Sequence, residues 1–241
     1  MRLSSFARSD VGLARSGNED SHLRGRTVFA VADGLGGHRG GEVASAMAVE
    51  PLQDLDGQAF ADAGQAAEAL EGAIRSANLA ILRRGRADPE LRGMGTTVTA
   101  ATVAAGRALQ LAHVGDSRAY LLRQGELTQL TTDHTVVNEA VERGLLTRRQ
   151  AAVHPQRGVV TRAVGLDPDV RADLPEPLEL EPGDQVLLCS DGLTEVVDDD
   201  RIAAVLAEHA DGDDACGALI AAANRGGGPD NITVVLLRVA D

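Results

Sequence analysis

The sequence predicts an α+β fold whose strands pair antiparallel. Short runs rich in Thr, Val and Leu recur at even spacing between residues 95 and 130, with turn glycines at Gly106 and Gly125. Such a series is typical of consecutive hairpins and not of a βαβ unit. Residues 65–84 instead carry apolar residues at helical spacing, so helices accompany the sheet.

Composition and charge argue against some classes of function, among them nucleic-acid and membrane binding. The 241 residues fit one large domain or two small ones, and the 44% hydrophobic and 24% charged fractions are ordinary for a globular protein. A net charge of −13 disfavours nucleic acid and anionic membrane surfaces as partners, and an aromatic fraction of 2% disfavours base stacking. Any site for a phosphorylated substrate therefore needs local arginine or metal.

Cysteine content and hydropathy bear on the compartment. Cys189 and Cys216 are too few for a disulfide framework. The first ten residues lack the features of a signal peptide, and no apolar run approaches the ~20 residues that span a bilayer. We expect a cytoplasmic monomer with no membrane segment, although a domain taken from a membrane-anchored protein would have the same pattern.

Local patterns predict the elements along the chain. Before the hairpins they predict strands at 2–15 and 28–32, a helix from Glu42 that ends at Pro51, and a helix at 65–84. After the hairpins they predict a short helix at 137–141, a second one starting at a capping box at 147–150, and strands at 159–163 and 185–189. Asp198 and Asp213 can cap two further helices before a final strand at 232–237. The two small helices between strands indicate an inserted flap.

Four aspartates stand where an apolar strand meets a glycine-containing turn, namely Asp33, Asp116, Asp191 and Asp230. A carboxylate at the end of a buried strand is costly unless a cation neutralises it. Strands that end together would bring these carboxylates into one small volume, where they suit Mg²⁺ or Mn²⁺ as hard oxygen ligands. Each alone is weak evidence, because strand-end aspartates often only form turns. For Asp116 the alternative is a turn residue that holds Arg118.

A longer series of motifs runs through the whole chain. Its members are RSGNED at 15–20, VADGLGGH at 31–38, GTT at 95–97, GDSRAY at 115–120, DHT at 133–135, HPQRGVVTRAVG at 154–165, SDGL at 190–193 and GPDNIT at 228–233. On its own, the RSGNED turn is more typical of a solvated charged loop than of a site. In this order, however, the motifs resemble those of the bacterial metal-dependent protein phosphatases, the type 2C serine/threonine phosphatases.

The resemblance implies an architecture. The fold would be a four-layer α-β-β-α sandwich, in which two antiparallel sheets pack face to face and helices cover both outer faces. Residues 1–241 would form a single catalytic domain, with a flap at about 134–163 beside the site.

The resemblance also implies which residues bind metal. Asp33 would bridge two Mn²⁺ or Mg²⁺ ions, and Asp191 and Asp230 would hold the first. The second would be completed by three further groups, the Gly34 carbonyl and waters held by Glu19 and Asp20. Asp191 would also hold a third, weaker ion together with Asp116.

The implied reaction is hydrolysis of phosphoserine and phosphothreonine in proteins, the products of serine/threonine kinases. A hydroxide bridging the two metals would attack phosphorus, and Arg15 would bind the substrate phosphate. Asp33 and Asp191 would serve catalysis through the metals. The proton donor to the leaving group is open: eukaryotic members have a histidine directly after Asp-Gly, where this chain has Leu35. His38 is near in sequence, and a metal-bound water is an equal candidate.

Two other function classes stand beside this one. A non-catalytic or partner-switching regulatory module on the same fold usually lacks metal ligands, whereas this chain has all of them. A metal-dependent phosphodiesterase or nuclease is disfavoured by the acidic composition and the scarcity of aromatic residues. Assays on p-nitrophenyl phosphate and on nucleic acid separate the three.

Overall fold

A computed structural model describes residues 2–36 and 40–240 of the chain. Its strands are β1 (Arg2–Asp10), β2 (Ser21–Arg24), β3 (Val28–Ala32), β4 (Gly34–Leu35), β5 (Gly95–Thr96), β6 (Val98–Val103), β7 (Ala108–Val114), β8 (Arg118–Arg123), β9 (Glu126–Gln129), β10 (Leu178–Glu179), β11 (Gln185–Cys189) and β12 (Ile232–Ala240). Its α-helices are α1 (Gly40–Gln53), α2 (Ala63–Ala87), α3 (Val136–Glu142), α4 (Arg148–Ala152), α5 (Asp191–Thr194), α6 (Asp199–Glu208) and α7 (Gly212–Arg225).

The strands form two five-stranded antiparallel sheets. The first has the order β1-β12-β11-β8-β9 and the second the order β10-β7-β6-β3-β2, while β4 and β5 pair separately. Apolar residues of both large sheets pack between them, including Phe29 of β3 and Val235 of β12. Helices α1 and α2 cover the outer face of the second sheet, and α5, α6 and α7 cover that of the first. The predicted α+β four-layer sandwich is confirmed.

The central strands are buried on both faces. In β12, Ile232, Val234 and Leu236 pack under α5–α7, whereas Val235 and Leu237 pack against the second sheet. Side chains alternate along a strand, so a strand between two apolar layers is apolar throughout. Each fully buried Val or Leu contributes about 1.5–3 kcal/mol, which is why a core with so few aromatics suffices.

Several predicted elements are confirmed. The hairpin is β6–β7, and the helix at 65–84 lies within α2. Thr147 and Gln150 form the capping box of α4, and Asp198 caps α6. Within residues 2–36 and 40–240, none of the helices combines the length and the apolar character needed to cross a bilayer.

Two boundaries differ from those predicted. Strand β1 ends at Asp10 and not at residue 15, because the chain turns there and the Leu13 amide donates to the Gly228 carbonyl at 2.8 Å. Pro51 does not end α1 but lies inside it, since the fully buried Leu52 keeps the last turn of the helix in the core.

Two further local predictions are wrong. Asp211, not Asp213, caps α7 by accepting hydrogen bonds from two amides of its first turn, while Asp213 pairs with Arg8 at 2.7 Å. The segment 159–163 is not a strand, because no other strand lies alongside it among the described residues. Val160 forms an isolated bridge to Thr135 instead.

Candidate metal centre

The structure brings four of the predicted acids together from distant parts of the chain. Asp33 follows β3 of one sheet, and Asp191 follows β11 of the other. Burial and the charges of Asp20, Asp191 and Asp116 act together on the Asp33 carboxyl and raise its pKa. We call Asp20, Asp33, Asp116 and Asp191 the carboxylate cluster.

The GTT motif holds the backbone at Asp33. The Asp33 amide donates to Oγ1 of Thr97 at 2.9 Å. The Asp33 carbonyl accepts from the Thr97 amide and from the Thr96 hydroxyl, each at 2.8 Å. These bonds set the direction in which the chain leaves β3, and the sequence offers no sign of this role for Thr97 beyond its place in the motif.

Gly34 occupies a space that no side chain could enter. A Cβ at this position would lie 2.3 Å from the Gly41 carbonyl oxygen and 2.5 Å from that of Glu19. Such close approach of three backbone segments requires glycine. The packing therefore accounts for the residue type independently of any role of its carbonyl in metal binding.

Ser190 positions Asp20. Its hydroxyl donates to Oδ2 of Asp20 at 2.8 Å and accepts from the Thr233 amide at 2.9 Å. Oδ1 of Asp20 and Oδ1 of Asp191 are buried, and neither has a hydrogen-bond partner among the described residues. Buried polar atoms are normally paired, so these two oxygens point to a ligand that the protein does not itself supply.

Burial and mutual repulsion disfavour the charged forms of the cluster. Burial, the largest cause, and the neighbouring carboxylates raise the pKa of Asp33 and of Asp191 well above the usual range. The same causes raise the pKa of Asp20 to about 6 and that of Asp116 to about 7. Within the described residues, none of the four carboxylates forms an ion pair with a cationic side chain. A divalent cation would remove this repulsion.

Arg15 and Asp230 lie beside the cluster. Nη2 of Arg15 is 2.7 Å from Oδ2 of Asp230, and the Arg15 side chain is 52% exposed. Asn231 anchors the turn that carries Arg15, because its Oδ1 accepts from the Glu19 amide at 2.8 Å and its Nδ2 donates to two carbonyls of the same turn. Arg15 is thus held next to the acids with much of its guanidinium in solvent.

Asp116 is not the partner of Arg118. The Arg118 guanidinium binds Asp133 through Nε and Nη2, at 2.9 and 2.6 Å, and also donates to the Tyr120 hydroxyl. The alternative in which Asp116 only forms a turn that holds Arg118 is therefore wrong. Asp116 is 7% exposed and lines a cavity that it shares with Asp191.

This cavity has a volume of about 1030 Å³ and extends along the predicted flap. Its lining includes Asp116, Asp191 and Glu195 together with residues of α3, α4 and the loop after α4. Glu195 is a residue that the sequence did not single out, although its charge acts on both Asp116 and Asp191. Its spacing of one helical turn from Asp191 is the signal that could have found it.

The donor set fits a hard divalent cation. Carboxylate and carbonyl oxygens suit Mg²⁺ or Mn²⁺, and two of these oxygens are buried without partners among the described residues. No three acidic, histidine or cysteine side chains in the described part of the chain already surround a single point. His38 falls at 37–39, outside the described residues.

The chain matches a known protein family. The family model for protein phosphatase 2C matches residues 16–219. The chain belongs to this family. The resemblance expected from the motifs is thereby confirmed, and the matched range contains every residue of the carboxylate cluster.

Relatives of this phosphatase 2C chain include bacterial serine/threonine phosphatases. The serine/threonine protein phosphatase PstP of Mycobacterium tuberculosis is 45% identical over 235 residues, which make up 98% of this chain and 45% of PstP. The chain therefore spans about half the length of PstP. A putative protein phosphatase 2C-type of Streptococcus pyogenes is 39% identical, with 95% of each chain covered. The structure of the PstP catalytic domain in complex with two manganese ions matches with a TM-score of 0.90 at 43% identity, over 99% of both chains.

Proposed function

We propose that this chain is a Mn²⁺- or Mg²⁺-dependent phosphatase acting on phosphoserine and phosphothreonine in proteins. The observation that carries the proposal is the carboxylate cluster, with its raised pKa values and its two buried, unpartnered oxygens among the described residues. Family membership and the manganese-bound relative support it. Because the chain spans 45% of PstP, the activity of the whole protein belongs to the proposal.

The proposed ligands follow from the positions of the acids. Asp33, on which the charges of Asp20 and Asp191 act, would be a ligand of both cations. Asp191 and Asp230 would hold the first cation. Three further groups serve the second, the Gly34 carbonyl and waters held by Glu19 and Asp20. Asp116 and Asp191, which line one cavity, hold a third and weaker cation.

The chemistry divides between the cations and the chain. When bound, the two cations supply a water of lowered pKa and offset the charge on the phosphoryl oxygens. Arg15 binds and orients the substrate phosphate, since its guanidinium is exposed and is kept beside the cluster by Asp230. Thr97 and Ser190 keep Asp33 and Asp20 in place, so that little reorganisation is needed when substrate arrives.

The proposed substrates are proteins phosphorylated by serine/threonine kinases. Segment 134–163 lines the cavity next to Asp116 and Asp191, and we propose that it acts as a flap against the bound phosphoprotein. That the chain acts in the cytoplasm and as a monomer are predictions that stand with this proposal. Comparing phosphoproteomes with the active protein and with the Asp191→Ala variant would identify the substrates.

The test is metal-dependent turnover of p-nitrophenyl phosphate and of a phosphothreonine peptide. Turnover should require Mn²⁺ or Mg²⁺, disappear with excess chelator and be lost in Asp191→Ala. Asp211→Ala is the matched control, because it removes an exposed aspartate that caps α7 far from the cluster in sequence. Unchanged turnover in excess chelator would refute the proposal, and peptide binding without turnover would favour a non-catalytic module.

A further inference from the structure

His134 is a buried joint between distant segments of the chain. It begins segment 134–163, is 5% exposed, and its ring lies against that of His113 in β7 with the centroids 4.8 Å apart. Nδ1 of His134 accepts from the Gly115 amide at 2.9 Å, and the His134 amide donates to the Gly115 carbonyl at 2.8 Å. The His134 carbonyl accepts from the Thr161 amide at 2.8 Å. Nε2 lies 3.1 Å from Oδ2 of Asp173.

These partners determine which ring nitrogen carries the proton. The Gly115 amide can only donate, so Nδ1 must present its lone pair. Nε2 then carries the hydrogen and donates to Asp173. The neutral ring therefore accepts from the Gly115 N–H, while Asp173 keeps the ring oriented. The bond to the Gly115 C=O comes from the His134 main-chain amide.

The paired bonds to Gly115 act on the turn that carries Asp116. Gly115 has φ +113°, and a Cβ there would lie 2.5 Å from Cγ2 of Thr97, so the turn packs directly on Thr97. On the same side, Oγ of Ser117 lies 2.7 Å from Oγ1 of Thr97. The Asp116 turn is thus held by Thr97 and by His134.

We infer that His134 is a positioning residue that sets the place of the Asp116 carboxylate and joins it to the 134–163 segment. The joint consists of the two bonds to Gly115 and the bond from Thr161. The inference rests on the proposed function, in which Asp116 holds the weaker third cation. Binding of that cation and ordering of the segment are then coupled, because both depend on the same residue.

Two substitutions separate the contacts of the ring. In His134→Asn, Oδ1 can take the place of Nδ1 and accept from Gly115, but the side chain is too short for Asp173. In His134→Gln, the amide nitrogen can reach Asp173, but no acceptor remains at the Nδ1 position. A Mn²⁺ titration followed by the electron paramagnetic resonance of free Mn²⁺ gives the dissociation constants of the sites. Asp116→Asn then shows which of them is the weakest site.

The dissociation constant of the weakest Mn²⁺ should rise about 10-fold in His134→Gln and much less in His134→Asn. Amide hydrogen exchange in 134–163 should become faster in His134→Gln, and the tighter ions should bind as in wild type. If both variants lose the same affinity for the weakest Mn²⁺, or neither loses any, the inference is overturned. Binding of Mn²⁺ by the wild type would in that case still support the proposed function. Wild type that binds no Mn²⁺ would overturn both. If His134→Gln does not fold, Asp173→Ala decides. Loss of the contact that orients the ring should weaken binding of the same ion, and unchanged affinity overturns the inference.

Discussion

Two groups of interior carboxylates differ in the charge that faces them. Asp133 and Asp184 each accept two or more hydrogen bonds from one guanidinium, that of Arg118 and that of Arg123. Burial acts to raise the pKa of Asp184, but the hydrogen bonds and charge of Arg123 and the hydrogen bond from the Glu181 amide together outweigh it and lower that pKa. The carboxylates of the cluster face one another, and their pKa values rise. An interior acid with its own arginine is part of the fold. The cluster acids form no ion pair with a cationic side chain among the described residues, and they are arranged for a cation.

The largest expected effect is a loss of activity when an acid of the carboxylate cluster is replaced, and no such loss when an arginine-paired acid is replaced. Asp33→Asn removes a proposed bridging ligand, so Mn²⁺-dependent turnover of p-nitrophenyl phosphate should fall by about 100-fold or more. The metal-free variant should have a higher free energy of unfolding than wild type, because a repelled buried carboxylate is gone. Steady-state kinetics and urea unfolding in chelator measure the two effects. Asp184→Asn is the control and should lose stability but keep turnover; normal turnover in Asp33→Asn would contradict the assignment.

Substitutions at the Arg118–Asp133 pair should change stability and not activity. Asp133→Ala leaves Arg118 without its carboxylate, and the free energy of unfolding should fall by about 3–5 kcal/mol. The double variant Arg118→Met/Asp133→Leu should recover much of this loss, since it leaves no unpaired charge. Urea unfolding of both proteins measures these free energies. A double variant less stable than Asp133→Ala would show that the stability loss in Asp133→Ala does not come from leaving Arg118 unpaired.

The pH dependence of stability should distinguish the groups without any mutation. Raised folded-state pKa values mean that the cluster stabilises the metal-free fold below the ordinary aspartate pKa of 3.8 and that this contribution is lost as pH rises through about 6 and 7. Metal-free protein should lose about 3 kcal/mol or more between roughly pH 4 and 7. Saturating Mn²⁺ should abolish the loss because cations bind the deprotonated acids. Thermal unfolding with chelator or with Mn²⁺ measures this, and the metal-free curve should be flatter in Asp33→Asn.

The smallest expected effect concerns Asp230, which among the described residues is the proposed ligand that pairs with an arginine. Arg15→Lys keeps the charge but loses the planar fork that binds phosphate, so kcat/KM for a phosphothreonine peptide should fall about 10-fold, mainly through KM. Arg8→Lys, at the exposed pair with Asp213, should change nothing. An unaffected KM in Arg15→Lys would remove Arg15 from the phosphate site.

The strand-forming runs and the acids at their ends could be read from local sequence. Apolar β11 and the turn after it are local features, so Asp191 could be recognised without any partner in view. The motif order extended this to Arg15, Glu19 and Asp20 and to the sandwich fold. Local patterns gave wrong element boundaries where tertiary packing sets the end of an element. At Pro51, for example, the helix continues because Leu52 is buried.

Which acids have cationic partners could not be read from the sequence and depends on the packing of the folded chain. Asp133 is farther from Arg118 in sequence than Asp116 is, yet of these two acids the guanidinium forms an ion pair with Asp133. The contacts from Ser190 to Asp20 and from His134 to Gly115 likewise join segments that are far apart along the chain. The physical reason is that hydrophobic periodicity records which face of a strand is buried, whereas a hydrogen-bond partner depends on how strands of two sheets and the loops between them pack in three dimensions.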